Sequence, residues 1–123
     1  MSELAITQYK IIDLIGSYCM ARQDGEKIYD LIHPELVADH PVELNFLGVK
    51  LIWPPFLNAA IGQLYKDLQP EKINRLLKIS NIHSRGMQGL QLVRENSYRY
   101  YSEPKYQETV DTVMLKMYED GQI

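Results

Sequence analysis

The sequence predicts an α/β domain, a small mixed sheet with helices packed on it. Two observations lead there. Short runs rich in isoleucine, valine and leucine, closed by glycine or proline, alternate with longer segments whose apolar residues recur at helical spacing. The length of 123 residues, 46% hydrophobic and 24% charged, fits one globular domain and leaves little room for two.

The elements follow in order. "YKIIDLIG", residues 9–16, is short, isoleucine-rich and ends at a glycine, so it reads as a strand. After a crossing segment, Ile28, Leu31 and Ile32 mark a helix over residues 23–32, with Pro34 expected to stop it. "ELVADH" connects to "VELNFLGVKLI", which reads as a strand over 42–47, a turn near Gly48 and a short continuation to residue 52. A helix over 55–68 carries Leu57, Ala60, Ile61, Leu64 and Leu68 on one stripe, with Pro55 suited to its first turn. "QPEKINRLLKIS" restarts a short helix with Ile73, Leu76 and Leu77 inward, and "KISNI" is a candidate third strand. Ser84 suits the cap of a helix to about residue 95. Ser102 suits the cap of a last helix, whose stripe of Tyr106, Val110, Val113, Met114 and Met117 is expected to dock on the core.

Several function classes lose support. The formal charge of −3 provides no global basic field for nucleic acid or an anionic membrane. Residues 1–10 lack a basic region followed by an apolar core, so no signal peptide is expected. No apolar run reaches the roughly 18–20 residues that span a bilayer. The single cysteine, Cys19, cannot form an internal disulfide, which fits a reducing cytoplasm. His33, His40 and His83 show no metal-ligand spacing, with or without Cys19, so no metal is expected. No glycine-rich phosphate loop, nucleophile elbow or spaced carboxylate pair points to a cofactor or to catalysis.

Three stretches remain. The first is the strand-to-helix corner Trp53-Pro54-Pro55, followed by Asn58, which lies off the helix stripe and is expected to face solvent or a partner. Trp53 fits two roles, a cap on the core or the anchor of an interface. The second is "ARQDGEKI", where Arg22, Asp24 and Gly25 either form a ligand or partner contact or serve locally, Asp24 and Gly25 shaping the helix start while Arg22 pairs nearby. The third is "RENSYRYYSEPKY". Tyr98, Tyr100, Tyr101 and Tyr106 stand there among Arg94, Arg99 and Lys105. This mixture suits helix packing, a protein interface or base stacking, and the overall acidity argues against the last.

The order of these pieces carries a resemblance. "VELNFLGVKLIWPPFLNAAIGQL", with Asn45, Gly48, Val49, Phe56 and Asn58, resembles the core of STAS-like domains, the group described as a STAS-like domain of unknown function, and more distantly the anti-sigma factor antagonists of bacterial partner switching. Arg22 and Gly25 are similar to the group's arginine-to-glycine segment, and the resemblance covers roughly residues 9–82. It implies a STAS-like fold and a non-enzymatic regulatory role exercised through protein–protein interaction. The implied partner is a histidine-kinase-like ATPase or a module it controls. Because some STAS relatives bind nucleotides, it also implies an alternative, a nucleotide or small-molecule sensor.

The departure from that resemblance is chemical. In the antagonists a serine at this corner is phosphorylated, and phosphate blocks docking. Here the matching positions are Trp53, Pro54 and Pro55, none with a hydroxyl. A phosphate at a helix start also needs free backbone N–H groups, and adjacent prolines remove two of them. The corner is therefore expected to act as a rigid apolar surface with Trp53, Pro54, Pro55, Asn58, Arg22, Asp24, Tyr98 and Tyr101 as partner-binding residues.

Overall fold

The computed structural model describes residues 5–119 and, at positions 100, 104, 107, 110 and 117–119, the backbone alone. Five strands and six helices alternate along it: β1 (Thr7–Lys10), α1 (Ile11–Leu14), β2 (Tyr18–Cys19), α2 (Arg22–Val37), β3 (Val42–Asn45), β4 (Leu51–Ile52), α3 (Pro54–Ala60), α4 (Pro70–Leu76), β5 (Leu77–Ser80), α5 (Ser84–Ser102) and α6 (Pro104–Glu119). A 3-10 segment, Gly62–Lys66, separates α3 from α4.

The α/β class holds, but the sheet is parallel where a mixed one was expected. β3 lies between β1 and β5, parallel to both, and β2 pairs with β4 in a separate parallel ladder. Strand alternation gives the larger sheet two different faces. Val42 and Leu44 are buried beneath α2, whose Ile28, Ile32 and Leu36 are fully buried, and the Tyr9 hydroxyl donates to Glu35 of that helix. The opposite face carries the rows Gln8–Glu43–Lys78 and Lys10–Asn45–Ser80. Glu43 accepts from Ser80 Oγ at 2.6 Å and from Gln8 Nε2 at 3.1 Å. These bonds, the Ser80 one foremost, hold its carboxyl below the usual range.

The structure corrects several sequence boundaries. The expected strand over 9–16 ends at Lys10 and turns into α1, because Ile11 drops into the core and Gly16 takes a left-handed φ of 113°. Helix α2 runs through Pro34 instead of ending before it. The carbonyl that loses its donor belongs to Asp30, and both Asp30 and Pro34 are exposed, so the lost bond falls on the solvent side. The continuation to Ile52 does not extend β3. Gly48, at φ 86°, redirects the chain, and Leu51–Ile52 join β2 instead. The expected helix over 55–68 breaks at Ile61. Gly62 lies against Ser97, where an added Cβ would come within 2.8 Å of the Oγ.

The cap assignments change too. His83, not Ser84, caps α5, its Nδ1 accepting from the Gly86 amide at 3.0 Å. α5 continues to Ser102, which does not cap α6. Its hydroxyl donates to the Tyr98 carbonyl at 2.7 Å inside α5. On α6, Val113 is 51% exposed rather than docked, while Met114 faces inward. The side chains of Val110 and Met117 lie outside the described residues.

Helices α2 and α3 make the tightest crossing. An added Cβ on Gly25 would lie 2.4 Å from the Phe56 carbonyl oxygen and 2.7 Å from Ala59 Cβ. Gly25 thus serves a backbone approach and not the helix start; Ala21 is the N-cap, without a side-chain cap bond. Beside this crossing Cys19 is fully buried. Burial foremost, and the Asp24 carboxylate second, push its thiol up to about 12.

Two outcomes are expected. Gly25→Ala forces the two backbones apart and lowers stability by roughly 1–3 kcal/mol, readable as a shifted urea midpoint; an unchanged midpoint would contradict the close approach. At about pH 8, on the order of one Cys19 thiol in ten thousand is ionised. A disulfide reagent should therefore leave the native protein unmodified and titrate one thiol after denaturation, and rapid reaction of the native protein would show that Cys19 is accessible.

Candidate functional site

The corner is built from backbone bonds. The Trp53 amide donates to the Cys19 carbonyl at 2.8 Å, tying the corner to the end of β2. Trp53 is the N-cap of α3, and Pro54 and Pro55 occupy its first turn, so α3 opens one residue earlier than expected. The Leu57 amide donates to the Trp53 carbonyl at 3.2 Å, completing the first helical bond. Two fixed φ angles there cost no hydrogen bonds, because first-turn amides have no intrahelical acceptor. Phe56 and Leu57 are fully buried and anchor the helix, whereas Trp53, Pro54 and Pro55 are half-buried. Trp53 is thus neither fully buried nor fully exposed.

Beside the corner lies a cleft of about 500 Å³. One wall is the start of α2 with the residues before it, Met20 to Gln23. The second is Pro55, Asn58, Ala59 and Gln63, and the third comes from the C-terminal helices, Tyr101, Asp111, Met114 and Leu115. Asn58 is half-buried, and its Nδ2 donates to Met114 Sδ at 3.3 Å. It therefore faces neither bulk solvent nor the core, but α6. Gln63 Nε2 is engaged with the Ala59 carbonyl at 2.9 Å.

Charge enters from two sides. Arg22 is exposed and lies 3.9 Å from Glu26, a long surface pair of little energetic weight. Asp111 lines the opposite wall. Tyr101 is influenced by both. Burial raises its phenol first, Arg22 acts to lower it and Asp111 to raise it. Lys66 Nζ sits 5.8 Å from the centre of the same ring.

The eight residues singled out in the sequence divide accordingly. Arg22, Pro55, Asn58 and Tyr101 meet in the cleft although they are far apart in the chain. Trp53 and Pro54 stand at the adjoining corner. Asp24 is half-buried in the first turn of α2, next in the chain to the cleft residue Gln23 and near Cys19. Tyr98 belongs to a different surface, a shallower groove of about 450 Å³ with Tyr65, Asn74 and Arg94. The "RENSYRYYSEPKY" segment is helical up to Ser102, and although Tyr98 and Tyr101 are neighbours on α5, they line different grooves. Met20, Gln63, Asp111 and Leu115 are cleft residues that the sequence did not single out, because nothing local distinguishes them from ordinary helix or loop positions.

Among the described residues, no group of three or more His, Cys, Asp and Glu could hold a metal ion, and no helix is long and apolar enough to cross a membrane.

No curated protein and no solved structure matches the chain. The family described as a STAS-like domain of unknown function matches residues 24–87, a span that runs from the first turn of α2 through the corner, α3 and β5 into α5. With more than half of its length inside that match, the chain belongs to the STAS-like domain family of unknown function.

Proposed function

We propose that this protein is a non-enzymatic regulatory module that works by binding another protein at the Trp53–Asn58 corner. The observation that carries the reading is the corner's construction. An aromatic residue and two prolines are half-exposed on a segment locked to β2 and to the first turn of α3. A pre-ordered apolar surface loses little conformational entropy on docking. Tryptophan supplies much area at such contacts. Arg22, Asn58 and Tyr101 add polar groups for orientation within the adjoining cleft. The resemblance to anti-sigma factor antagonists points to a histidine-kinase-like ATPase, or a module it controls, as the partner.

The cleft favours a second reading, a sensor of a nucleotide or another small molecule. Its volume of about 500 Å³ falls in the roughly 300–1,000 Å³ range of small-ligand sites.

Two experiments test the first reading. Incubation with the histidine-kinase-like ATPase and ATP should leave the intact mass unchanged, since Trp53, Pro54 and Pro55 carry no hydroxyl; a stoichiometric gain of one phosphate would mean that the switch operates from another position. Asn58→Asp, nearly isosteric with one added charge, loses the weak Nδ2–Met114 Sδ bond, so it should lower the melting temperature slightly while weakening partner binding at least tenfold, about 1.4 kcal/mol. Full binding by this variant, with Trp53→Ala merely unfolding the domain, would move the interface elsewhere.

A further inference from the structure

The charged groups of the cleft are already in use. Arg22, its side chain 73% exposed, pairs with Glu26, and the exposed Asp111 is engaged by a neighbour as well. The lining between them is mainly apolar, with Met20, Pro55 and Met114 half-buried and Ala59 buried. Among the polar side chains, Gln63 spends its Nε2 on the Ala59 carbonyl at 2.9 Å. Asn58 is placed differently. Its Nδ2, in a half-buried setting, donates to Met114 Sδ at 3.3 Å. A thioether is a weak acceptor, so this donor is poorly satisfied for a group held partly out of water. A carbonyl oxygen in the sulfur's place would satisfy it better.

We infer that the cleft takes an uncharged, largely apolar small molecule that carries a carbonyl group, such as an aliphatic amide. Its carbonyl oxygen replaces the Met114 sulfur on Asn58 Nδ2, and its hydrocarbon part lies against Met20, Pro55, Ala59 and Met114. An unbranched methionine gives way to such a ligand at low cost. A carboxylate or phosphate would have to share Arg22 with Glu26 in open solvent, where such a contact contributes little. An ammonium group would meet Asp111 under the same conditions. A charged ligand therefore loses hydration against the apolar lining with nothing equivalent in return. This inference rests on the sensor reading above and, within it, selects a neutral ligand over a nucleotide.

Titration of the isotope-labelled full chain, followed by amide NMR, tests it. Isocaproamide is the probe. Isocaproate, isoamylamine and isoamyl alcohol share its branched chain and carry instead a negative charge, a positive charge and a neutral group without a carbonyl; ATP is a separate arm. Isocaproamide should shift the Asn58 side-chain amide and the backbone amides of Met20, Ala59 and Met114, and the three controls should bind about tenfold more weakly. Arg22→Ala and Asp111→Asn should change its affinity by less than about twofold, as exposed and engaged charges predict. Asn58→Leu should weaken it about tenfold. Met114→Leu, close in volume and without the sulfur, should tighten it, because Asn58 Nδ2 then has no competing acceptor; should Asn58→Leu not fold, Met114→Leu decides alone. Isocaproate or isoamylamine binding as tightly as the amide would overturn the neutral-ligand assignment, and isoamyl alcohol doing so would overturn the carbonyl contact. Affinity unchanged in Met114→Leu would overturn that contact too. ATP shifting the same amides while isocaproamide stays silent would overturn the ligand class and leave the sensor reading standing. Silence of every probe up to about 10 mM, a range that detects millimolar affinity, would overturn both.

Discussion

The crossing of α2 and α3 is the contact on which the rest of the structure depends. Gly25 lets the Phe56 carbonyl approach to a distance that any side chain would occupy, and Ala59 and Ala60 keep the facing surface small. This crossing sets where α2 begins relative to α3, and so fixes the first two walls of the cleft. It also presses Phe56 and Leu57 into the core, which leaves Trp53, Pro54 and Pro55 at the surface. The groups on the corner and on the first two walls are therefore positioned by a backbone approach at a glycine. Short-range packing between small residues gives such a site its rigidity, because a compact core resists displacements of a few tenths of an ångström.

The C-terminal helices give the site a different character from the two walls that rest on the core. Tyr101 and α6 close the cleft on its third side, and Met114 is the inward-facing residue that meets Asn58. Val113 and Leu115, its neighbours in the chain, are 51% and 62% exposed. Among the described residues, α6 meets the other cleft walls through Met114 and α5 through Tyr106. Tyr106 Oη donates to Asn96 Oδ1 at 2.6 Å, and the Arg99 guanidinium lies 4.3 Å from the centre of the Tyr106 ring. Contacts of this kind are individually modest.

The alternation of strands and helices, and the corner itself, were legible in the sequence because periodicity and proline act locally. What escaped was decided at a distance. Pro34 looked like a stop, but its missing hydrogen bond falls on an exposed face, where helix α2 tolerates it. Val113 looked buried because its spacing fits a stripe, yet the core is already closed by α3, α5 and the Gly62–Lys66 segment. His83 was a poor guess for a cap by residue type, though its ring nitrogen does what a serine hydroxyl would do. The cleft was legible only in part. Arg22, Pro55, Asn58 and Tyr101 stood out by type or by resemblance, but Asp111 and Met20 acquire meaning only once the tertiary fold brings their segments together.

The parallel pairing also shapes how the chain reaches this structure. Thr7 pairs with Val42 and Val42 with Leu77, each pair 35 residues apart (42 − 7 and 77 − 42), and Tyr18 pairs with Leu51 across 33 (51 − 18). No hairpin exists among the described strands to nucleate either ladder cheaply. Each ladder must close a long loop first, at an entropic cost that local contacts do not repay until the intervening helix has also docked. Folding of this domain is accordingly tied to long-range search. During synthesis the central strand β3 has only β1 to pair with until the chain has grown past Ser80, so the three-stranded sheet is completed only after about two thirds of the 123 residues have been made.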